Sequence, residues 1–141
     1  MRFLILLFSV CLIASLPACS TGSKLATAKV KGNLLFNGTP FVSKHNGSLT
    51  VKFIPIVEEG QPFDTFIADV NREDGSFVVV GRAEDGIPVG KYRISIDQMV
   101  MNMPPEVEAM NRRFSPEVSR IIREITGNET IQIDLAKAEG Q

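Results

Sequence analysis

The stretch FIADVNREDGSFVVV, residues 66–80, decides the fold class. Every second residue from Phe66 to Val70 is apolar, and this period of two is typical of a half-buried strand. Residues 72–75, Arg-Glu-Asp-Gly, are turn formers. Apolar residues resume at Phe77, so the stretch predicts two strands joined in a hairpin.

The same alternation occurs in four other segments, on both sides of this stretch. They are residues 28–36, 48–54, 91–96 and 130–135. Glycine, proline and asparagine separate them, and Asn37-Gly38 is a strong hairpin signal. Short strands divided by such turns predict an all-β, antiparallel sandwich.

Residues 104–126 leave two structures open. The prolines at 104–105 can open a short helix carrying Val107, Met110 and Phe114. Ser115-Pro116 has the form of a helix N-cap, yet isoleucines 121 and 125 also fit a strand that a turn at Gly127-Asn128 joins to the last one. We favour the strand for 116–126, because a hairpin is the shorter connection.

The N-terminal residues have the pattern of an export signal. Arg2 precedes an apolar run at residues 3–13, which is shorter than the about 20 residues that a membrane-spanning helix needs. Residues 16–19, Leu-Pro-Ala-Cys, resemble the lipobox of bacterial lipoproteins, in which the cysteine is lipidated and becomes the N-terminus. The alternative is a plain secretory peptide with an incidental cysteine at Cys19.

These patterns divide the chain into four parts. Residues 1–18 are expected to be a lipoprotein signal peptide, 19–26 a lipidated N-terminus and flexible tether, 27–137 the sandwich, and 138–141 a tail. Cys11 lies in the signal, so lipidation of Cys19 leaves no thiol for a disulfide or a thiolate metal site.

Charge and composition exclude several function classes. The 141 residues carry 15 Lys+Arg and 16 Asp+Glu, a net charge of −1 without a basic block, so nucleic acid is not an expected partner. There is one histidine, His45, which is expected to be an exposed turn residue beside Asn46-Gly47. A multi-histidine zinc site and a histidine-dependent triad therefore lack their parts.

Two groups of metal-binding residue types have simpler explanations. Asp69, Asn71, Glu73 and Asp74 precede Gly75, but the glycine is one position late for an EF-hand, and no closing Glu follows. Met99, Met101 and Met103 alternate as in some Cu(I) sites, although methionine more often fills gaps near loops. Asp97, Glu106 and Glu108 are expected to lie in a solvated loop. We expect no metal and no cofactor.

Three stretches carry a family resemblance: VKGNLLFNGTP at 30–40, DVNREDGSF at 69–77 and GIPVGKYRI at 86–94. In order and spacing they resemble the signatures of transthyretin-like, carboxypeptidase regulatory-like domains of exported bacterial lipoproteins, and residues 115–135 resemble the final segment of that group. The resemblance implies a prealbumin-like sandwich of about seven strands, and for most members no known activity. Hydroxyisourate hydrolase, the enzyme of that fold, would need several histidines and a Tyr-Arg-Gly-Ser end, whereas this sequence ends Lys-Ala-Glu-Gly-Gln.

The expected function is accordingly a non-catalytic, membrane-anchored structural or binding module of the bacterial cell envelope. The alternative is a carbohydrate- or peptide-binding accessory module for an exported hydrolase. Phe41, Phe63 and Phe114 are the candidate ligand-binding rings because they fall outside the predicted strands; capping of the core is the competing role. The expected partners are the lipid bilayer, through acylated Cys19, and an envelope protein or polysaccharide. Ser20 after the cysteine favours the outer over the inner membrane.

Overall fold

The computed structural model describes residues 26–82 and 85–137. The strands are β1 (Thr27–Ala28), β2 (Val30–Phe36), β3 (Thr39–Pro40), β4 (Gly47–Pro55), β5 (Phe66–Asp69), β6 (Ser76–Val79), β7 (Ile87–Pro88), β8 (Gly90–Val100), β9 (Ile122–Ile125) and β10 (Glu129–Asp134), and helix α1 (Pro105–Arg113) lies between β8 and β9. Seven of these strands have four or more residues. The all-β prediction is therefore confirmed.

Two four-stranded sheets form the body of the molecule. In the first, β2 is central, with β10 on one side and both β3 and β6 on the other. In the second, the order is β5-β4-β8-β9, and every pair is antiparallel. Strand β1 pairs separately with β7. The buried, inward-facing residues of both sheets belong to one apolar core, as in a sandwich.

One pair of strands departs from the antiparallel prediction, because β10 runs parallel to β2 from Glu129 beside Val30 to Asp134 beside Leu35. The cause is that β9 pairs with β8 in the second sheet, so residues 126–128 carry the chain across to the first sheet. The Asn128 side chain accepts a hydrogen bond of 2.7 Å from the Lys29 N–H at this crossing. Gly127-Asn128 is thus a connection between sheets, not a turn within one.

The predicted hairpin of residues 66–80 is likewise a corner between the sheets. The chain does reverse: the Asn71 N–H donates to the Ser76 carbonyl at 2.8 Å, and Gly75 has a φ of 73°, which favours glycine. However, β5 and β6 share only the bridge from Val70 to Phe77 before each joins a different sheet. Strands β5 and β6 separate after the turn because the sheets are twisted and each strand pairs with a neighbour in its own sheet.

The core follows the period-two pattern that the sequence predicts. Tyr92 is buried and lies edge-on to Phe53 and Phe66, with ring centroids 6.0 and 6.3 Å away. Its hydroxyl donates to the Pro88 carbonyl, and burial raises the pKa of this phenol. Phe77 is 3% exposed and lies directly opposite Gly32 on β2. The glycine leaves the space that the aromatic ring fills.

Residues 104–126 contain a helix followed by a strand. Helix α1 begins after Pro104 and buries Val107, as the first alternative predicts. Residues 115–119 form a single turn, closed by the Ser119 N–H on the Ser115 carbonyl at 2.8 Å. The favoured strand is confirmed for Ile122–Ile125, which form β9, but residues 116–121 are not part of it. Glu106 and Glu108 lie in the first turn of α1, not in a loop, where acidic residues suit the helix dipole.

The carboxylate of Asp134 joins the end of β10 to the turn after β2. It accepts hydrogen bonds from the N–H groups of Asn37 at 3.0 Å, Gly38 at 2.9 Å and Ala136 at 3.0 Å. Desolvation alone would raise the pKa of Asp134, but these N–H groups and the charge of Lys137 outweigh it and lower the pKa below its ordinary value of 3.8. The ionised carboxylate thereby holds the end of β10 against the turn that follows β2.

Candidate functional site

A cavity of about 460 Å³ opens at the end of the sandwich where β2 and β10 finish. Its walls come from the ends of these strands, the segment 41–45, the last part of β8, and α1. Its volume falls within the range of small-ligand pockets, about 300–1,000 Å³. The described N-terminus, at Ala26, lies at the other end of β2, where its carbonyl accepts a hydrogen bond from Val89.

The inner wall of the cavity is apolar. Phe41 and Met110 are half-buried and pack against the main core, while Phe114 and Leu135 belong to that core. Phe36, at the end of β2, is 50% exposed and forms part of the open side. An apolar group that enters the cavity would contact aromatic rings and a flexible thioether.

One buried amide interrupts this apolar surface. Gln98 is only 2% exposed, and it lines the cavity. Its Nε2 donates to the Ser43 hydroxyl, which in turn donates to the His45 carbonyl at 3.2 Å and accepts from the His45 N–H at 3.3 Å. Asn111 of α1 pairs with the Gln98 backbone through two hydrogen bonds of 2.9 Å. The 43–45 segment therefore holds the side-chain amide of Gln98, and the helix holds its backbone.

The mouth of the cavity is charged. His45 Nε2 lies 3.3 Å from Glu106 Oε1, so the loop and the first turn of α1 meet here. Lys44 and Arg113 also line the mouth, and the Arg113 guanidinium lies 5.1 Å from the centre of the Phe114 ring. His45 lies in a bend, as predicted, but it is half-buried and not exposed, because Glu106 of α1 lies beside it.

The three candidate aromatic rings do not form one surface. Phe41 and Phe114 both line the cavity, but Phe114 is 4% exposed and offers no open face. Phe63 is 53% exposed in a separate depression beside residues 54–61. Phe114, and in part Phe41, thus cap the core, whereas Phe63 does not. The lipidation candidate Cys19 lies outside the described residues.

Neither candidate metal site keeps its side chains for a metal. Asn71 and Asp74 make hydrogen bonds within their turn, and the three methionines are exposed. The Asn71 side chain accepts from the Glu73 N–H at 3.0 Å, and that of Asp74 accepts from the Ser76 N–H at 2.9 Å. The hydrogen bonds from Ser76 lower the pKa of Asp74. Met99, Met101 and Met103 are exposed rather than gap fillers, because they lie on or beyond the end of β8. Among the described residues, no three His, Cys, Asp or Glu side chains form a group that could hold a metal ion.

Sequence reasoning missed Gln98 and Ser43, which provide the polar groups inside the cavity. A signal for Gln98 was present: positions 92, 94 and 96 of β8 are the inward-facing Tyr-Ile-Ile row, and Gln98 continues it. A glutamine in such a row is unusual because an amide in the core needs hydrogen-bonding partners. Ser43 had no comparable signal, since it precedes β4 in an irregular segment.

Within the parts of the chain that the structure describes, no helix is long and apolar enough to cross a membrane. Comparison of the chain with family models, with curated proteins and with solved structures finds no match.

Proposed function

We propose that this protein is a non-catalytic binding module, held at the bacterial cell envelope by a lipid on Cys19, and that its ligand enters the cavity between the 41–45 segment and α1. The observation that carries the proposal is the cavity itself, in which an apolar wall surrounds the buried side-chain amide of Gln98, hydrogen-bonded to Ser43. A concave apolar site with few fixed polar groups is the usual form of a ligand-binding pocket.

The position of the cavity agrees with a tethered protein. The described residues begin at Ala26, four residues before β2, whereas Phe36 at the other end of that strand lines the cavity. A lipid at Cys19 would thus be joined, through residues 20–25, to the end of β2 that is away from the site. We propose the outer membrane as the destination, on the basis of Ser20.

Between the two ligand classes expected from the sequence, the cavity favours a peptide over a carbohydrate. A pyranose is usually held by a flat, open ring together with many polar groups, but Phe114 is buried and Phe41 is half-buried. The lining is mainly apolar and suits a large side chain. An accessory role beside an exported hydrolase is compatible with this site.

Three features support the proposal that the sandwich is transthyretin-like. The first signature stretch contains the β2–β3 turn, with Asn37 and Gly38 at φ values of 53° and 78°. The second contains the corner that leads to buried Phe77, and the third leads the chain into β8 with Tyr92 inward. Each stretch thus forms a turn or a strand entry of the sandwich.

A fluorescent probe with an apolar aromatic body and one anionic group, 1-anilinonaphthalene-8-sulfonate, tests the cavity. We expect saturable binding that Ala109→Phe weakens at least about tenfold, because Ala109 lines the cavity and a larger side chain fills it. Ile67→Phe is the matched control, since Ile67 is exposed on β5 and does not line the cavity. Equal binding by Ala109→Phe and the wild type, with unchanged melting temperatures, would contradict the proposed site.

The anchor is tested by Cys19→Ser in the full chain. We expect the wild type to incorporate labelled fatty acid and to partition into detergent, and the variant to lose both properties, because only the thiol can form the thioether. Cys11→Ser is the control, since that cysteine lies in the expected signal peptide and should not matter. A wild-type chain that takes up no label and stays in the aqueous phase would show that the anchor is absent.

A further inference from the structure

The outer face of the first sheet carries two lysines at the end away from the cavity. Lys31 on β2 and Lys29 directly before that strand are both exposed, and their spacing of two places them on the same face. In register beside Lys31 lie Val78 of β6 and Thr130 of β10, neither of which is charged. Among the described residues, no ion pair includes either lysine. Both ammonium groups are therefore available to an anionic partner.

Exposed apolar side chains lie beside these lysines. Val78 is 52% exposed, and Val80, which continues the alternation of β6, is 56% exposed. We call Lys29, Lys31, Val78 and Val80 the basic patch. A surface of this composition suits the boundary of a membrane, where cationic side chains contact lipid phosphates and apolar side chains enter the headgroup region.

The other end of the same face is acidic. Asp74 and Asp134 line a depression there, together with the uncharged side chains of Asn33 and Gln132. The cation in this lining, Lys137, lies 3.9 Å from the Asp134 carboxylate, which offsets its charge. An anionic surface is therefore attracted to one end of the face and repelled from the other.

The outer face of the second sheet differs in the same region. Lys91 is exposed on β8, but Glu124 of β9 lies directly beside it in register and is also exposed. Opposite charges at adjacent positions reduce the attraction to an anionic surface. The charge pattern thus favours the first sheet.

The basic patch also lies close to the expected anchor. The described residues begin at Ala26, three residues before Lys29. Cys19 precedes Ala26 by seven residues, which span at most about 25 Å when extended. A lipid on Cys19 would keep the patch within that distance of the leaflet, where two cations are enough to orient a molecule that is already attached.

We propose that the basic patch binds the surface of an anionic lipid bilayer, so that the cavity at the other end of β2 is directed away from the membrane. This inference rests on the lipid anchor of the proposed function and adds the orientation of the anchored domain. The partner is the phosphate-bearing headgroup layer of the membrane that holds Cys19.

A fluorescent label at position 78 tests this contact. The full chain with Val78→Cys, extracted from bacterial membranes and modified with a nitrobenzoxadiazole group, is reconstituted in phosphatidylcholine vesicles that contain a lipid with a nitroxide on its headgroup. We expect the nitroxide to quench the label at least about threefold more strongly when phosphatidylglycerol replaces about a third of the phosphatidylcholine, and high salt to remove the difference. The same label at Ile67→Cys, an exposed position of the second sheet, should be quenched equally in both vesicles.

Lys31→Gln, combined with the label at position 78, is the decisive variant. We expect it to lower the ratio of membrane-bound to free domain about fivefold, the effect of one basic residue near an anionic surface. Lys91→Gln is the matched control, since it removes one exposed lysine from the other face, and it should change the ratio by less than about twofold. Equal effects of the two variants, or a label at position 78 that does not respond to phosphatidylglycerol, would overturn the inference.

Flotation and labelling of the wild type distinguish this inference from the anchor itself. A lipidated chain has no thiol at position 19, and Cys11 lies in the expected signal peptide, so the wild type should float with the vesicles and take no label. If it floats unlabelled while the label at position 78 stays unresponsive, the orientation is wrong and the anchor stands. A wild type that is labelled at Cys19 and does not float contradicts the anchor, and the orientation with it.

Discussion

Replacement of Phe77 by alanine is expected to cost about 3–5 kcal/mol of the free energy of unfolding, the range for truncation of a buried phenylalanine. Phe77 is 3% exposed, lies 6.4 Å from Phe53 between ring centroids, and covers Gly32. The alanine variant would leave a cavity between the two sheets at the point where they are joined by the corner. Since a domain has about 5–15 kcal/mol in total, much of its stability would be lost.

Thermal and urea unfolding of residues 24–141, which contain all described strands, measures this effect. Val78→Ala is the matched control, because Val78 is the next residue of β6 and is 52% exposed. We expect the control to change the unfolding free energy by less than about 1 kcal/mol. Similar losses for the two variants would show that Phe77 does not fill the core.

The second large loss of stability is expected for Gly32→Ala, which adds a single methyl group. A Cβ atom built at Gly32 would lie 2.2 Å from the Cζ atom of Phe77, well inside contact distance. Because the ring is enclosed by the core, it cannot move away freely, and overpacking of this kind costs about 1–3 kcal/mol. Urea unfolding should show the loss as a lower midpoint with an unchanged slope.

A double-mutant cycle identifies the cause. Phe77→Leu removes the part of the ring that an alanine at position 32 would strike, so Gly32→Ala should cost less in that background, with a coupling of about 0.5–3 kcal/mol. The neighbouring strand position Asn33→Ala serves as the control, since Asn33 is half-buried and points away from Phe77. Additive effects in the cycle would mean that the glycine is needed for its backbone and not for the ring.

The local structure of this protein could be predicted from the sequence, but its long-range pairing could not. The alternation from Phe66 to Val70 and the turn that ends at Gly75 are short-range patterns, and both are present. Whether β5 and β6 stay together is decided by their other neighbours, β4 and β2, which lie elsewhere in the chain. The parallel pairing of β10 with β2 could not be predicted for the same reason, because the two strands lie far apart in the sequence.

The candidate site was predictable only in part. Phe41 and Phe114 are candidates because they lie outside the predicted strands, but the same criterion includes Phe63, which lies in a separate depression. The position of Gln98 in an inward-facing row was visible in the sequence, as was the polarity of its side chain. Its contact with Ser43, and that of His45 with Glu106, depend on how the 41–45 segment and α1 pack together. Periodicity contains no information about that packing.

The described residues begin near one end of β2 and the cavity lies at the other end, which has a consequence for how an anchored molecule would meet its ligand. From Cys19 to Ala26 the extended chain can reach at most about 25 Å, and β2 adds about 20 Å, so every copy would present its site within one shallow layer above the leaflet. The anchored copies would diffuse in two dimensions along the membrane, and any neighbouring copy could bind the same ligand. A partner that carries several copies of the ligand would then be retained by avidity far longer than any single cavity could hold one copy.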